Sequence, residues 1–186
     1  MKLRLGLVAA VAFALVLLFT FYNIRIAYTA SGSMVPTISV GDLVVYTKVN
    51  TNHLSRGDIV LFNPVTESNE GSFLTGREEF YEKRIIGLPG ESIRIENGTV
   101  FINNEPLDEP YTVFSDNSSF MPYRNMDEMV IPNGCYFMMG DNRDNSFDSR
   151  GFGVIPAENI KYVYVFSMPS LAGFLTGTNN DQLWLS

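Results

Sequence analysis

Two stretches of the chain carry side chains that could take part in covalent chemistry. Residues 30–37 place two hydroxyl groups, those of Ser31 and Ser33, on either side of Gly32. Lys83, one of only four lysines, begins the sequence Lys-Arg-Ile-Ile-Gly-Leu-Pro-Gly. A serine hydroxyl becomes a nucleophile when a neighbouring group removes its proton, and a desolvated lysine amine can be that group. The chemistry to consider first is therefore acyl transfer by serine and lysine.

Each stretch also has an ordinary structural interpretation. A Ser-Gly-Ser sequence is common in turns, because serine hydroxyls bond to nearby backbone groups, and Lys83 could be a solvated lysine on an edge strand. A third stretch, residues 140–150, reads Gly-Asp-Asn-Arg-Asp-Asn-Ser-Phe-Asp-Ser-Arg and combines turn formers with charges. By itself it is typical of a charged surface loop. Residue type alone leaves these interpretations and catalysis both open.

Composition removes several other kinds of site. The 186 residues include one histidine and one cysteine, too few for a zinc centre of thiolates and imidazoles. A site built from carboxylates alone has no support in the sequence, so we predict neither a metal nor a cofactor. His53 lies in a polar stretch without a Gly-X-Ser-X-Gly sequence elsewhere, and we expect it in an exposed loop. Cys135 cannot form an internal disulfide, and we expect a small buried apolar residue.

The charge distribution limits the possible partners. The net charge is −7, the acidic residues are spread along the chain, and lysine and arginine form no cluster. A protein that binds nucleic acid needs positive charge to neutralise phosphates. We therefore expect no nucleic-acid partner.

The amino-terminal stretch predicts a membrane anchor. Thr20 is the only clearly polar side chain in residues 5–22, and two basic residues precede this run, which favours a cytoplasmic amino terminus. A cleavable signal peptide is the alternative, but its apolar region is usually about 7 to 15 residues long, and no clean Ala-X-Ala site follows directly. The predicted organisation is a cytoplasmic segment, a transmembrane helix and an extracytoplasmic domain, at residues 1–4, 5–23 and 24–186.

The rest of the chain has the pattern of a β protein. Short stretches rich in Val, Ile, Tyr and Phe are separated by Gly or Asn/Asp pairs, at residues 42–49, 58–62, 92–95, 99–102 and 162–166. Asn97 and Gly98 predict a hairpin, since a type I′ turn needs positive φ at both central residues. The predicted fold class is mainly β, an antiparallel sheet domain preceded by one transmembrane helix. Polar loops or insertions are predicted at residues 63–80 and 104–129.

The three stretches, in this order and behind an anchor, resemble the signature boxes of bacterial type I signal peptidases. Ser-Gly-Ser-Met-X-Pro-Thr resembles the nucleophile box of that family, and Lys-Arg followed by Gly-Leu-Pro-Gly resembles its lysine box. Residues 140–150 resemble the carboxy-terminal box, and residues 56–60 resemble a fourth, structural box. The intervening loops show no recognisable relation.

The resemblance implies a Ser-Lys dyad. Ser33 would be the nucleophile and Lys83 the general base. Because a free lysine has a pKa of about 10.4, the fold would have to lower it to roughly 7 to 8, which burial among apolar neighbours does. Ser31 would join the backbone N–H of Ser33 in an oxyanion hole, and the hydroxyl of Ser146 would orient the lysine. Apolar walls around the amine are expected from Ile85 and Ile86 of the lysine box and from the aromatic residues Phe80 and Tyr81 that precede it.

Other positions of the boxes imply supporting roles. Met34 would contribute to the pocket for the residue before the cut. Asp141, Asp148 and Arg150 would hold the site together, the last two as a pair. Glu82 departs from the family pattern, which commonly has an apolar residue before the lysine, and leaves the lining of the substrate pocket open.

The implied function is removal of signal peptides from translocated preproteins at the bacterial cytoplasmic membrane. Small residues would be preferred at the first and third positions before the cut. The partners would be preprotein signal peptides and the lipid bilayer, and the oligomeric state stays open. Two alternatives remain: a non-catalytic, membrane-anchored β-domain that binds secreted chains, and a self-cleaving repressor-type protease. The second is soluble and carries a DNA-binding part, so the anchor argues against it.

Overall fold

The computed structural model describes residues 2–49, 53–64, 80–114 and 124–170. The chain begins with a helix of 22 residues, α1 (Lys2–Asn23), which runs directly into strand β1 (Ile24–Tyr28). The following elements are β2 (Leu43–Lys48), β3 (Ile59–Phe62), β4 (Tyr81–Gly87), β5 (Ser92–Glu96), β6 (Thr99–Ile102), β7 (Glu105–Pro106), β8 (Met126–Val130), β9 (Cys135–Met139), the short helix α2 (Ser149–Phe152), β10 (Ile155–Pro156) and β11 (Ile160–Met168).

The strands form two sheets in which every pairing between these strands is antiparallel. The larger sheet has seven strands in the order β1-β2-β11-β3-β4-β9-β10, and the smaller has four in the order β7-β6-β5-β8. The predicted fold class, mainly antiparallel β behind an apolar helix, is confirmed.

Strand β3 lies where both faces of the larger sheet are covered, which explains its four consecutive buried apolar residues. Val60 and Phe62 point into one cluster with residues of β4, β9 and β10, whereas Ile59 and Leu61 point to the opposite face. On that face they pack against Met34 of the segment that follows β1. Successive side chains of a strand alternate between faces, so β3 joins the core to the segment that contains Ser33.

The smaller sheet packs against the end of the larger one. Its inward residues on β5 and β6 alternate with outward ones and share a buried cluster with Ile86, Ile131 and Phe137. Asn97 and Gly98 have φ angles of 51° and 87°, the positive values that the predicted type I′ hairpin requires. Cys135, which we expect to be buried, is half-buried and packs against the same cluster.

Helix α1 is long and apolar enough over Gly6–Asn23 to cross a membrane, by length and composition, and its described side chains are largely exposed. The helix packs against none of the core clusters formed by the described residues. This arrangement fits the anchor that the sequence predicts.

The five predicted strands all exist, with boundaries that shift by up to two residues. Among the described residues, six further strands, β1, β4, β7, β8, β9 and β10, lie outside the predicted ones. The stretch predicted as a loop or insertion over residues 104–129 contains strand residues near both ends, because β7 lies within it and β8 begins at Met126. Residues 65–79 and 115–123, the centres of both predicted loops, lie outside the described residues. His53 is exposed, as expected.

Candidate active site

Ser33 lies in a single turn of 3₁₀ helix, Gly32–Met34, between β1 and β2. The next residue, Met34, is completely buried in the cluster beneath the larger sheet and holds the turn against the core. The loop that carries residues 140–150 holds it from the other side. The backbone N–H of Asn142 donates to the Ser33 carbonyl at 3.0 Å, and the Asn142 side-chain amide donates to the Gly32 carbonyl at 3.2 Å. The nucleophile candidate is therefore fixed on two sides.

Lys83 lies in the middle of β4, paired with Val60 of β3, and only 5% of it is exposed. Its Nζ donates to Ser33 Oγ at 2.7 Å and to the backbone carbonyl of Glu82 at 2.9 Å. Fifty residues separate the serine and the lysine in the chain, and the sheet brings them within hydrogen-bond distance. The geometry is that of a nucleophile and its base.

Burial lowers the pKa of Lys83 to about 8. The nearby carboxylates of Asp148 and Glu82 act in the opposite direction, and the Arg150 guanidinium adds to the lowering. The desolvation of the ammonium is the largest of these effects. Of the expected apolar neighbours, Tyr81 has its ring centroid 5.9 Å from Nζ. Ile85 instead belongs to the core cluster that contains Val60 and Phe62, and Ile86 belongs to the cluster shared with the smaller sheet.

Gly140 allows the loop of residues 140–150 to approach the nucleophile closely. A Cβ atom at this position would lie 2.3 Å from Ser146 Oγ and 2.5 Å from the Ser33 carbonyl oxygen. Real side chains do not tolerate such distances, so the position requires glycine in this arrangement.

Asp148 and Arg150 form a buried pair in this loop, as the resemblance implies. Arg150 Nε and Nη2 donate to the two oxygens of Asp148, each at 2.8 Å. Asp148 also accepts from the backbone N–H of Gly140 at 3.1 Å and caps α2. Arg150 in turn donates to the carbonyl of Arg143 at 2.7 Å. The pair therefore connects the end of the loop to its beginning, at Gly140 and Arg143.

Asp141 joins the loop to the strand that carries the lysine. It is completely buried and accepts from Arg84 Nε at 2.8 Å and from Arg84 Nη2 at 2.5 Å. Thr37, which follows the nucleophile turn, donates to the same carboxylate at 2.5 Å. One carboxylate thus connects β4, the loop and the serine segment.

Sequence reasoning assigned no role to three further buried groups. Arg84 is part of the lysine box, and Arg143 is part of the carboxy-terminal box, so a signal existed for both. Arg143 makes two hydrogen bonds to Glu109, at 2.8 Å and 2.5 Å, and both side chains are nearly inaccessible. Glu109 stands 34 residues away in a turn without any motif, and only the tertiary structure identifies it.

The structure places three predicted site residues differently from the roles implied for them. The Ser31 hydroxyl accepts a hydrogen bond from the Ser33 backbone N–H at 3.3 Å. Ser146 Oγ is buried beside the site, but within the described part of the chain it has no hydrogen-bond partner, Lys83 included. Met34 lies in the core beneath the turn and does not line the cleft. Its contribution is to support the turn, because its side chain is directed away from the surface.

A cleft of about 410 Å³ opens beside Ser33 and Lys83. One wall comes from the segment between β1 and the nucleophile turn, and the other comes from the start of β4. Besides the dyad, the residues that line the cleft include Ala27, Thr29, Tyr46, Leu61, Phe80 and Glu82. Among the described residues, no group of three or more His, Cys, Asp and Glu side chains is placed to hold a metal ion.

Comparison with known proteins decides the family. The family model described as signal peptidase, peptidase S26, matches residues 2–168 of the chain. The chain belongs to the signal peptidase I family. It is thereby a serine endopeptidase by family, and the resemblance drawn from the boxes is confirmed.

The relatives of this signal peptidase come from several bacteria. The chain is 36% identical over 152 residues to a probable signal peptidase I-1 of Synechocystis, and the match covers 81% of this chain and 74% of the relative. It is 32% identical over 169 residues to a signal peptidase IB of Staphylococcus aureus, with 82% and 83% covered. For some curated relatives the chain covers less than two thirds of their own length. A crystal structure of a signal peptidase I from Enterococcus faecalis aligns at 28% identity with a TM-score of 0.44, over 61% of this chain and 97% of that chain.

Proposed function

We propose that this chain removes amino-terminal signal peptides from translocated preproteins with Ser33 as nucleophile and Lys83 as general base. The observation that carries the proposal is the hydrogen bond of 2.7 Å between Lys83 Nζ and Ser33 Oγ, made by a lysine that is 95% inaccessible. A lysine that only stabilised the fold would be expected to pair with a carboxylate. Here the amine instead contacts a hydroxyl at the edge of a cleft.

The first half of the reaction forms an acyl-enzyme. Ser33 Oγ attacks the carbonyl carbon of the residue before the cut, and its proton moves to Lys83 Nζ. The resulting ammonium gives that proton to the amide nitrogen of the leaving chain, so the mature protein departs with a new amino terminus. With a pKa of about 8, about a tenth of the amine is neutral at pH 7, far more than for an ordinary lysine.

The second half releases the signal peptide, which is held as an ester on Ser33. Lys83, neutral again, takes a proton from a water molecule as this water attacks the ester carbonyl. Ser33 Oγ leaves with a proton from the ammonium, and the enzyme is restored. No other donor or acceptor of protons is needed for the cycle.

The developing oxyanion needs hydrogen-bond donors. The Ser33 backbone N–H and the Ser31 hydroxyl lie side by side, and they bond to each other at 3.3 Å. Rotation of the Ser31 hydroxyl about its Cα–Cβ bond would free the amide and let both groups donate to the oxyanion. Each such donor contributes about 10² to 10³ in rate.

The edge of β4 offers a place for the substrate chain. Residues 81–83 pair with β3 on one side, whereas β9 pairs only with residues farther along, from Arg84 onwards. On the other side, residues 81–83 have no strand partner among the described residues, and they line the cleft. An extended cleavage region can add there as a strand. Small residues at the first and third positions before the cut would then face the cleft, because alternate side chains share one face.

The anchor and one face of the larger sheet would place this site at the bilayer. Directly paired residues of antiparallel strands point to the same face, and two cross-strand rows on that face are apolar and accessible at their ends: Ile26, Val45 and Phe166, then Tyr28, Leu43 and Met168. This face begins where α1 ends. We infer a single membrane crossing with the amino terminus inside and the peptidase domain outside the cytoplasm, resting on lipid.

Cleavage of a preprotein with an Ala-X-Ala site tests the proposal. The full chain in detergent is compared with Ser33→Ala and Lys83→Ala across pH 6 to 10. We expect both variants to be folded and inactive, and the wild type to lose activity below its pH optimum with a midpoint near the Lys83 pKa of about 8. Near-full activity of Lys83→Ala would refute the general base. A wild type that binds preproteins without cutting them would favour the non-catalytic alternative.

A further inference from the structure

The cleft contains a carboxyl group that the proposed reaction does not use. Among the described residues that line it, Glu82 is the only acidic one. Burial raises the pKa of the Glu82 carboxyl, because removing a carboxylate from water is costly unless hydrogen bonds replace the lost hydration. The position of this group beside the dyad therefore requires an explanation.

The hydrogen bonds of Glu82 leave part of its accepting capacity unused. The Tyr46 hydroxyl donates to Oε1 at 2.5 Å, whereas Thr29 Oγ1 reaches Oε2 only at 3.5 Å. Each carboxylate oxygen can accept two hydrogen bonds, and a bond of 3.5 Å is weak. Burial also raises the pKa of Tyr46, so its hydroxyl stays protonated and continues to donate. Among the described residues, Oε2 therefore has no strong donor.

We propose that Glu82 determines substrate choice by accepting a hydrogen bond from a hydroxyl-bearing side chain at the third position before the cut. This inference rests on the proposed function and names the substrate class of the same site. Tyr46 and Thr29 then act as supports that hold the carboxyl group at the wall of the cleft.

The third position follows from the different parts of one cleft that Lys83 and Glu82 line. Lys83 turns toward Ser33 and hence toward the residue that is cut, whereas Glu82 bonds to Tyr46 of β2 and to Thr29. A substrate strand on the edge of residues 81–83 presents its first and third side chains to the cleft. The first is opposite the dyad, which leaves the third for Glu82.

A neutral donor fits this place better than a basic side chain. Arg25 lines the same cleft, with its guanidinium carbon 4.4 Å from the centre of the Phe80 ring, and Lys83 is a second basic group. A substrate ammonium would therefore meet like charges and would also lose its hydration on entry. A hydroxyl group has neither disadvantage.

Threonine and valine at the third position provide the test, because they have nearly the same shape and differ by a hydroxyl group. Two preproteins that are otherwise identical are cleaved by the full chain in detergent, and kcat/KM is measured for each. We expect the wild type to prefer threonine about tenfold, since a buried hydrogen bond to a charged acceptor is lost with valine. Glu82→Leu is expected to abolish or reverse this preference. Glu158→Leu, at an exposed carboxyl group on the 3₁₀ turn Ala157–Asn159, is the matched control and should keep it.

Three results would overturn the inference. Equal cleavage of both preproteins by the wild type would show that Glu82 does not form a hydrogen bond with the substrate hydroxyl. Faster cleavage of a preprotein with lysine at the third position than of the threonine one would indicate a cation subsite instead. An equal loss for both preproteins in Glu82→Leu would indicate a purely structural role. If Glu82→Leu fails to fold by circular dichroism, Glu82→Gln, which keeps an acceptor oxygen, should retain a reduced preference. Full activity of Ser33→Ala would instead remove the proposed function itself.

Discussion

Replacing Lys83 by methionine should remove a pH-dependent cost from the folded state. Burial lowers the pKa of Lys83 from its ordinary 10.5 to about 8, so the folded protein releases this proton at a lower pH than the unfolded chain does. Between these two values the unfolded state binds more protons, and the free energy of unfolding rises by about 1.4 kcal/mol per pH unit. Below pH 8 the cost reaches its full size, about 3 kcal/mol.

Methionine has a similar length and no charge, so Lys83→Met lacks this dependence on pH. The variant also removes the Nζ donor from Ser33 Oγ and from the Glu82 carbonyl, a loss of about 1 kcal/mol for each bond. This loss changes little with pH. The informative quantity is therefore the unfolding free energy of the variant minus that of the wild type. This difference should decrease by about 2.5 kcal/mol from pH 7 to pH 10, because only the wild type becomes more stable over this range.

Guanidinium unfolding of the full chain in detergent micelles, followed by circular dichroism at pH 7, 8, 9 and 10, measures this difference. Lys161→Met, at an exposed lysine on β11, is the matched control, because it makes the same replacement at a side chain that is not buried. If the difference for Lys83→Met does not change with pH, the amine is not desolvated in the folded protein and the reasoning about its pKa is refuted.

Three further changes test other parts of the site. Ser31→Ala should lower kcat by about 10² to 10³ with KM nearly unchanged in a preprotein assay, because an oxyanion donor acts in the transition state; a change in KM alone would contradict this role. Arg143→Met leaves the buried Glu109 carboxylate unpaired and should cost about 3 to 5 kcal/mol in the unfolding assay, and replacing both residues by apolar ones should recover most of it. Glu82→Gln removes a charge that raises the pKa of Lys83, so the acidic limb of the pH–rate profile should move to lower pH; an unmoved limb would mean that this carboxyl group carries no charge there.

The parts of the fold with local signals could be predicted from the sequence. β5 and β6 alternate apolar and polar residues around an Asn-Gly pair, and both the strands and the type I′ turn follow from that pattern. Strand β4 could not be predicted in the same way, because it contains Glu82, Lys83 and Arg84 in succession. Three adjacent charged residues have low β-propensity, and their strand conformation depends on pairing with β3 and β9.

The residues of the candidate site also divide into those with a local sequence signal and those without one. Ser33 and Lys83 were found through their boxes, and their hydrogen bond is a consequence of the sheet that no local pattern encodes. Met34 lies beneath the turn and not among the residues that line the cleft, and sequence does not say which of the neighbouring residues of a turn faces the core. The Arg143 and Glu109 pair is invisible in sequence, since its members share no motif and stand 34 residues apart.

The charges around Lys83 have to be balanced for a buried amine to work as a base. Asp148 and Glu82 each raise its pKa, and two unopposed carboxylates would hold the proton on the lysine and counteract the effect of burial. Arg150 contacts both oxygens of Asp148 at 2.8 Å, and its guanidinium offsets part of the effect of this carboxylate on the Lys83 pKa. Asp148 can therefore cap α2 and hold Gly140 while raising the pKa of Lys83 less than an unpaired carboxylate would. Under the proposed mechanism, the Asp148 and Arg150 pair thus helps to set the pH range in which Lys83 can act as a base.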